Sequence, residues 1–88
     1  MNLMTGNKVR GFTQATIAAN QAADWHRIGV GLGRFCIAET IPASVVATAL
    51  GVTKWTVYRW FSGECEPHRS HKKLIRTFIK RRQKRIKD

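Results

Sequence analysis

Acidic residues are scarce in this sequence. Asp and Glu number 5 against 16 Lys and Arg, so the formal net charge at pH 7 is +11. Ten of the cations fall within Arg69–Lys87, and Asp88 is the only acid beside them. Charge of one sign on so small a chain favours a polyanionic partner, and nucleic acid is the partner that fits best.

Cysteine is also rare, and long apolar runs are missing. Cys36 and Cys65 do not have the spacing of metal ligands, and without a secretory signal they predict reduced thiols, with Cys36 as a small core residue. The apolar runs are too short and too interrupted by charge to cross a bilayer. We therefore expect a cytoplasmic protein, in a bacterial cell or a virus-infected host cell, without a membrane partner.

Patterns of catalytic or metal-binding residues are missing as well. His68 and His71 have i, i+3 spacing, but no further ligand completes a zinc site. Glu64 and Glu66 are isolated from any pair of nucleophile and base. Because 88 residues have room for one modest core, we expect a single domain that is not an enzyme and that needs no metal or cofactor.

The N-terminal half contains helix signals that glycines interrupt. Residues 1–12 show no apolar period, so they predict a flexible arm, either a frayed end or a basic arm that reaches a DNA minor groove. Thr13 is a candidate N-cap, and the apolar period continues past it through Trp25 as far as Cys36. Glycines within residues 29–33 predict one distorted helix or two helices, with small residues that let a neighbouring helix approach.

The C-terminal half has clearer boundaries. Pro42 suits the first turn of a helix that Gly51 ends, Thr53 caps a further helix, and a basic helix begins near Ser70. No strand signal is present. These signals predict an all-α fold, a compact bundle of four to five helices, in which a domain over residues 13–80 is followed by a basic C-terminal tail, residues 81–88.

Residues 45–60 meet separate physical demands in one register. A small residue, Ala47, lies where a second helix would cross, and Gly51 suits a tight turn between helices. The inward positions that would attach both helices to the core are Val46, Leu50, Val52, Val57 and Trp60. This segment resembles the helix-turn-helix of lambda repressor and Cro-type regulators, and with the compactness of the chain the resemblance implies a small, phage-like regulator. The simpler alternative is an ordinary helical hairpin that glycine ends.

The resemblance implies that Ala43–Leu50 is a supporting helix and that residues 53–62 form a recognition helix for the DNA major groove. Once the inward positions are assigned, helical geometry places the candidate base contacts on the outward face of this helix. They are Thr53, Lys54, Trp55, Tyr58 and Arg59. Arg59 is the leading candidate because a guanidinium can donate two hydrogen bonds to guanine O6 and N7. Its alternatives are a phosphate contact or a salt bridge to Glu64. For Trp55, exposure on this face and burial against the first helix both stay open.

Contacts to DNA phosphates are expected from residues other than the candidate base contacts. Many members of the family carry a glutamine for this purpose at the start of the supporting helix, where this chain has Ala43. We therefore expect backbone anchoring to depend more on the basic C-terminal helix. The alternative is a solvated cationic face. The candidate phosphate contacts are Ser44, Thr56, Ser62, Lys72, Lys73, Arg76, Lys80 and Arg81.

Taken together, the resemblance and the charge indicate a sequence-specific regulator of transcription that binds double-stranded DNA. One alternative is a protein that recruits a terminase, transposase or excision complex to a DNA site. Another is a basic interaction protein that binds RNA polymerase or RNA. Whether the chain forms a homodimer or binds another protein of the same pathway is left open, because no heptad pattern or apolar patch identifies an interface.

Overall fold

The computed structural model describes residues 8–9 and 12–87, with side chains described for residues 12–84. It is an all-α bundle, as expected from the sequence, with one very short β pairing ahead of the helices. The elements in chain order are β1 Lys8–Val9, β2 Phe12–Thr13, α1 Gln14–Ala22, α2 Ile28–Ala38, α3 Ala43–Leu50, α4 Lys54–Phe61 and α5 Arg69–Lys87. Helices α2, α4 and α5 pack around a common core, and α3 lies against α4 and α5.

The flexible arm expected over residues 1–12 must end before Phe12, because Phe12 belongs to the core. Phe12 is buried, and its ring lies 6.0 Å from that of Phe61. Strands β1 and β2 pair antiparallel, with Val9 opposite Phe12. Two-residue strands are too short to show an alternating pattern in the sequence, which is why no strand was expected. Residues 1–7 and 10–11 of the expected arm lie outside the described part of the chain.

The break between the first two helices lies before the glycines, over residues 23–27. Trp25 in this connection is exposed, contrary to the expected continuation of the apolar period, and it stacks on His26 with ring centroids 4.0 Å apart. Asp24 accepts a hydrogen bond from the His26 backbone N–H at 3.0 Å, which lowers the pKa of its carboxyl. The local hydrogen bonds of this turn replace the helix that the period predicted.

The glycines instead lie inside α2 and let α4 approach closely, as one of the sequence interpretations proposed. A Cβ on Gly29 would lie 2.9 Å from both the Cβ and the carbonyl oxygen of Trp60. A Cβ on Gly33 would lie 2.8 Å from Cγ of Phe61. These distances are shorter than side chains normally tolerate, so glycine at both positions is required by helix packing.

A buried polar residue joins three elements. Asn20 on α1 donates from Nδ2 to the carbonyl oxygens of Val30, at 3.1 Å, and of Phe61, at 2.8 Å. Phe61 is the last residue of α4, where carbonyl groups lack partners within the helix. Asn20 therefore supplies a donor to the end of α4 and connects α1 with both α2 and α4.

The core fills the space between these helices. Leu32, Cys36, Val46, Val57 and Ile75 have almost no exposed surface. Burial raises the pKa of the Cys36 thiol to about 12, in agreement with its expected role as a small core residue.

Helix α5 continues to Lys87, so residues 81–87 extend the helix and do not form the separate tail expected from the sequence. Ile75 faces the core, whereas Phe78 and Ile79 are half-buried. Arg82 lies over the ring of Phe78, 5.4 Å from its centroid. Within residues 14–87, no helix combines the length and the apolar character needed to span a lipid bilayer.

Candidate nucleic-acid interface

Helices α3 and α4 form a unit of two consecutive helices, residues 43–62, whose turn depends on Gly51. This glycine has φ +71° and ψ +34°, in the left-handed region, and Val52 donates its N–H to the Ala47 carbonyl at 3.0 Å. An L-residue pays a conformational penalty there that glycine avoids. The inward positions anticipated for the unit are buried, Val46, Ala47, Leu50, Val57 and Trp60, while Val52 is half-buried against the same core.

Ala43 at the start of α3 is buried, so its side chain contributes to packing. Ser44 beside it is exposed. Of these two side chains, Ser44 alone carries a hydroxyl, and it is exposed to solvent.

The start of α4 has a side-chain cap. Thr53 Oγ1 accepts a hydrogen bond from the Thr56 backbone N–H at 3.2 Å and lies 3.1 Å from Thr56 Oγ1. This arrangement uses the Thr53 hydroxyl within the chain. Lys54 follows on the exposed side. The two threonines thus stabilise the helix start that presents Lys54 to solvent.

The outward face of α4 carries both aromatic and charged groups. Trp55 is 69% exposed, which settles the question that the sequence left open. Arg59, one turn further on, is also exposed. Tyr58 lies at the edge of this face, half-buried, with its ring edge-on to Phe61 at 6.3 Å. A large apolar ring in water gains nothing from its position unless a partner covers it.

A shallow groove of about 270 Å³ runs between this face and α1. On the α1 side it is lined by small residues, Ala15, Thr16 and Ala19. On the α4 side it is lined by Trp55, Tyr58, Arg59, Phe61 and Ser62, with Glu64 from the following turn. The structure therefore brings three of the candidate base contacts, Trp55, Tyr58 and Arg59, beside α1.

Glu64 forms with Arg59 the ion pair that the sequence left open as an alternative to a base contact. The closest approach joins Arg59 Nε and Glu64 Oε1, at 3.3 Å, and the two side chains are 44% and 64% exposed. Ser62 Oγ contacts the Arg59 carbonyl oxygen at 3.3 Å. Arg59 thus has an acidic partner within the chain, on the same surface that a ligand would contact.

The candidate phosphate contacts on α5 differ in their surroundings. Lys72 pairs with Glu66, Nζ to Oε2 at 3.0 Å, whereas Arg81 lines a groove beside the C-terminal end of α3. Helical geometry places the exposed cations Lys73, Arg76 and Lys80 on the side of α5 away from Ile75. The groove on the outer face of α4 is lined by α1 and not by α5.

Glu66 is the centre of a second ionic group. Arg27 Nε donates to Glu66 Oε1 at 3.1 Å, and Arg27 Nη1 donates to the Gly63 carbonyl at 2.8 Å. The hydrogen bond from Lys72, and that from Arg27, hold the pKa of Glu66 below its usual value. Sequence reasoning identified Lys72 but missed Arg27 and Asn20, because nothing local marks a residue whose partners lie far along the chain.

Among the described side chains, no three His, Cys, Asp or Glu residues lie together in a way that could hold a metal ion. His71 packs on Trp60, with ring centroids 5.5 Å apart, and His68 Nδ1 lies 3.2 Å from Ser70 Oγ.

The chain was also compared with known proteins. Protein-family models, curated proteins and solved structures gave no match.

Proposed function

We propose that this protein is a sequence-specific regulator of transcription that binds double-stranded DNA, in the manner of the Cro-type regulators that its sequence resembles. In this proposal α4 enters the major groove and α3 lies across its entrance. The observation that carries the proposal is the outer face of α4, where Trp55 and Arg59 are exposed on a helix whose opposite side is firmly buried.

The chemistry of that face suits base edges. Arg59 can donate to guanine O6 and N7, and the exposed Trp55 can cover a thymine methyl or a sugar. Lys54 and the Thr53 hydroxyl lie at the start of α4, where backbone N–H groups also attract phosphate. The net charge of +11 provides the long-range attraction to a duplex.

The cations of α5 have a different task in this proposal. Lys73, Arg76, Lys80 and Arg81 are exposed, and a positively charged helix can neutralise phosphates without reading sequence. Loss of one such cation should weaken binding to all duplexes alike, whereas loss of Arg59 should change which duplex is preferred.

The test is selection from a random duplex pool at about 150 mM salt, where nonspecific attraction is weakened. The wild type is compared with Arg59→Ala and with Arg76→Ala, which removes the same side chain from α5. We expect the wild type to select a consensus and Arg59→Ala to lose a guanine preference of about 5- to 150-fold. Arg76→Ala should keep the consensus.

Two results would contradict the proposal. If the wild type selects no consensus, sequence-specific DNA binding is wrong, and a polymerase-binding or RNA-binding protein becomes the better interpretation. If Arg76→Ala changes the consensus and Arg59→Ala does not, α4 is not the reading helix. Copurification with an ATPase or recombinase, together with an intact consensus, would indicate recruitment of an enzyme to the site.

A further inference from the structure

The turn after α4 holds Glu64 in a defined place. Gly63 has φ +81°, and its carbonyl oxygen accepts a hydrogen bond from Arg27 Nη1 at 2.8 Å. On the other side of Glu64, the Cys65 N–H donates to the Arg59 carbonyl at 3.2 Å. The backbone is thus attached both before and after Glu64, so the position of this acid beside Arg59 is built into the turn.

From this geometry we infer that Glu64 is a positioning residue that sets the specificity of Arg59, an inference that rests on the proposed function. The carboxylate approaches the guanidinium most closely at Nε. The Nη1 and Nη2 end is the part of the guanidinium left to donate two hydrogen bonds to guanine. Glu64 thereby restricts Arg59 to the end-on geometry and reduces the conformational freedom that binding would otherwise have to remove.

Stability does not explain the pair. Both side chains are substantially exposed, and exposed ion pairs contribute little to folding because water and salt screen them. Glu64 also lines the same groove as Trp55, Tyr58 and Arg59, on the surface that would face DNA. An acid on that surface repels phosphate, so it weakens nonspecific binding more than it weakens a complex in which Arg59 contacts guanine.

The experiment repeats the duplex selection with Glu64→Ala and Glu64→Gln. Glu39→Gln is the matched control because it removes one negative charge from the exposed end of α2, outside the groove. Affinity for the selected site and for an unrelated duplex is measured over a range of salt concentrations. Circular dichroism verifies that each variant is folded.

We expect Glu64→Ala to lower the guanine preference about three- to tenfold, part of the ~5- to 150-fold that a bidentate contact provides. Its affinity for unrelated duplex should rise, with a salt slope steeper by up to about 0.9. Glu64→Gln should lose less preference, since its amide oxygen can still accept from the guanidinium. Glu39→Gln should leave the preference unchanged.

The outcomes separate the two proposals. A guanine preference that depends on Arg59 but is unchanged in both Glu64 variants overturns the positioning role and leaves the proposed function standing. An equal loss of preference in Glu39→Gln would mean that net charge alone is responsible, which also overturns it. If the wild type selects no consensus, the proposed function fails and the role of Glu64 fails with it.

Discussion

Replacement of Gly29 with alanine should destabilise the protein, even though alanine favours a helix. The added Cβ would lie 2.9 Å from Cβ of Trp60 and 2.9 Å from its carbonyl oxygen. Neither atom is the end of a flexible side chain, so relief requires a shift of α4 relative to α2. Gly31, two residues further along the same helix, is the matched control, because a Cβ there would meet the Trp25 carbonyl oxygen at 3.3 Å and no closer atom among the described residues outside its own helix.

The expected magnitude comes from two opposing effects. Alanine in place of glycine stabilises a helix interior by about 1 kcal/mol. Overpacking of a close interface typically costs about 1 to 3 kcal/mol. Gly29→Ala should therefore lower the free energy of unfolding by up to about 2 kcal/mol, whereas Gly31→Ala should change it little or raise it by up to about 1 kcal/mol. The helix-propensity gain is common to both variants, so their difference isolates the packing effect.

The assay is urea unfolding followed by far-UV circular dichroism, in which the two variants are compared with wild type. Thermal unfolding gives an independent comparison, because a difference of about 1 kcal/mol between the two variants corresponds to roughly 4 to 8 °C in Tm for a domain of this size. Gly29→Ala should also bind a selected duplex more weakly, because α4 would be displaced. If Gly29→Ala is as stable as Gly31→Ala, the close approach of α2 and α4 is wrong.

Two further predictions concern polar contacts that connect distant parts of the chain. Asn20→Ala should lower the free energy of unfolding by about 2 kcal/mol or more, because the Phe61 carbonyl loses a buried donor, and urea unfolding measures it. Asn20→Asp, which puts a carboxylate against the same carbonyl, should be less stable still. Because the pKa of Glu66 is depressed, its ionised carboxylate stabilises the folded state at pH values above the usual pKa near 4.5. This stabilisation is lost as the pH falls through the lower pKa of the folded state. Glu66→Gln should therefore lower the free energy of unfolding by less than about 1 kcal/mol near pH 7, because the ion pair is partly exposed, and should leave it unchanged in acid. A difference between wild type and variant that stays constant across pH would contradict this reasoning.

Local chemistry accounts for the parts of the fold that the sequence predicted well. Thr13 and Thr53 cap the helices that follow them, and Gly51 adopts the left-handed conformation at the expected turn. Each of these signals depends on a few adjacent residues. The outward set on α4 likewise followed from helical periodicity once the buried positions were assigned.

The remaining features depend on tertiary contacts that no local pattern encodes. Asn20 resembles a surface residue in the sequence but is buried, because two carbonyl groups from other helices need its amide. Trp25 shows the opposite difference, because the apolar period included it but the structure leaves it exposed. Trp55 fitted either environment, since an indole combines an apolar ring with a polar N–H. The relation of α5 to α4 could not be predicted, because basic residues on a helix do not determine which way it crosses its neighbours.

The N-terminal helices hold α4 through contacts additional to those that α3 makes. Gly29 lets α2 contact the backbone of Trp60, Asn20 binds the last carbonyl of α4, and Arg27 binds the carbonyl of Gly63 just beyond it. These contacts all act on the buried side and C-terminal end of α4, so they leave its outer face free. Because bidentate recognition loses strength when a donor is displaced or mobile, α1 and α2 are as much a part of the proposed reading of DNA as the turn at Gly51.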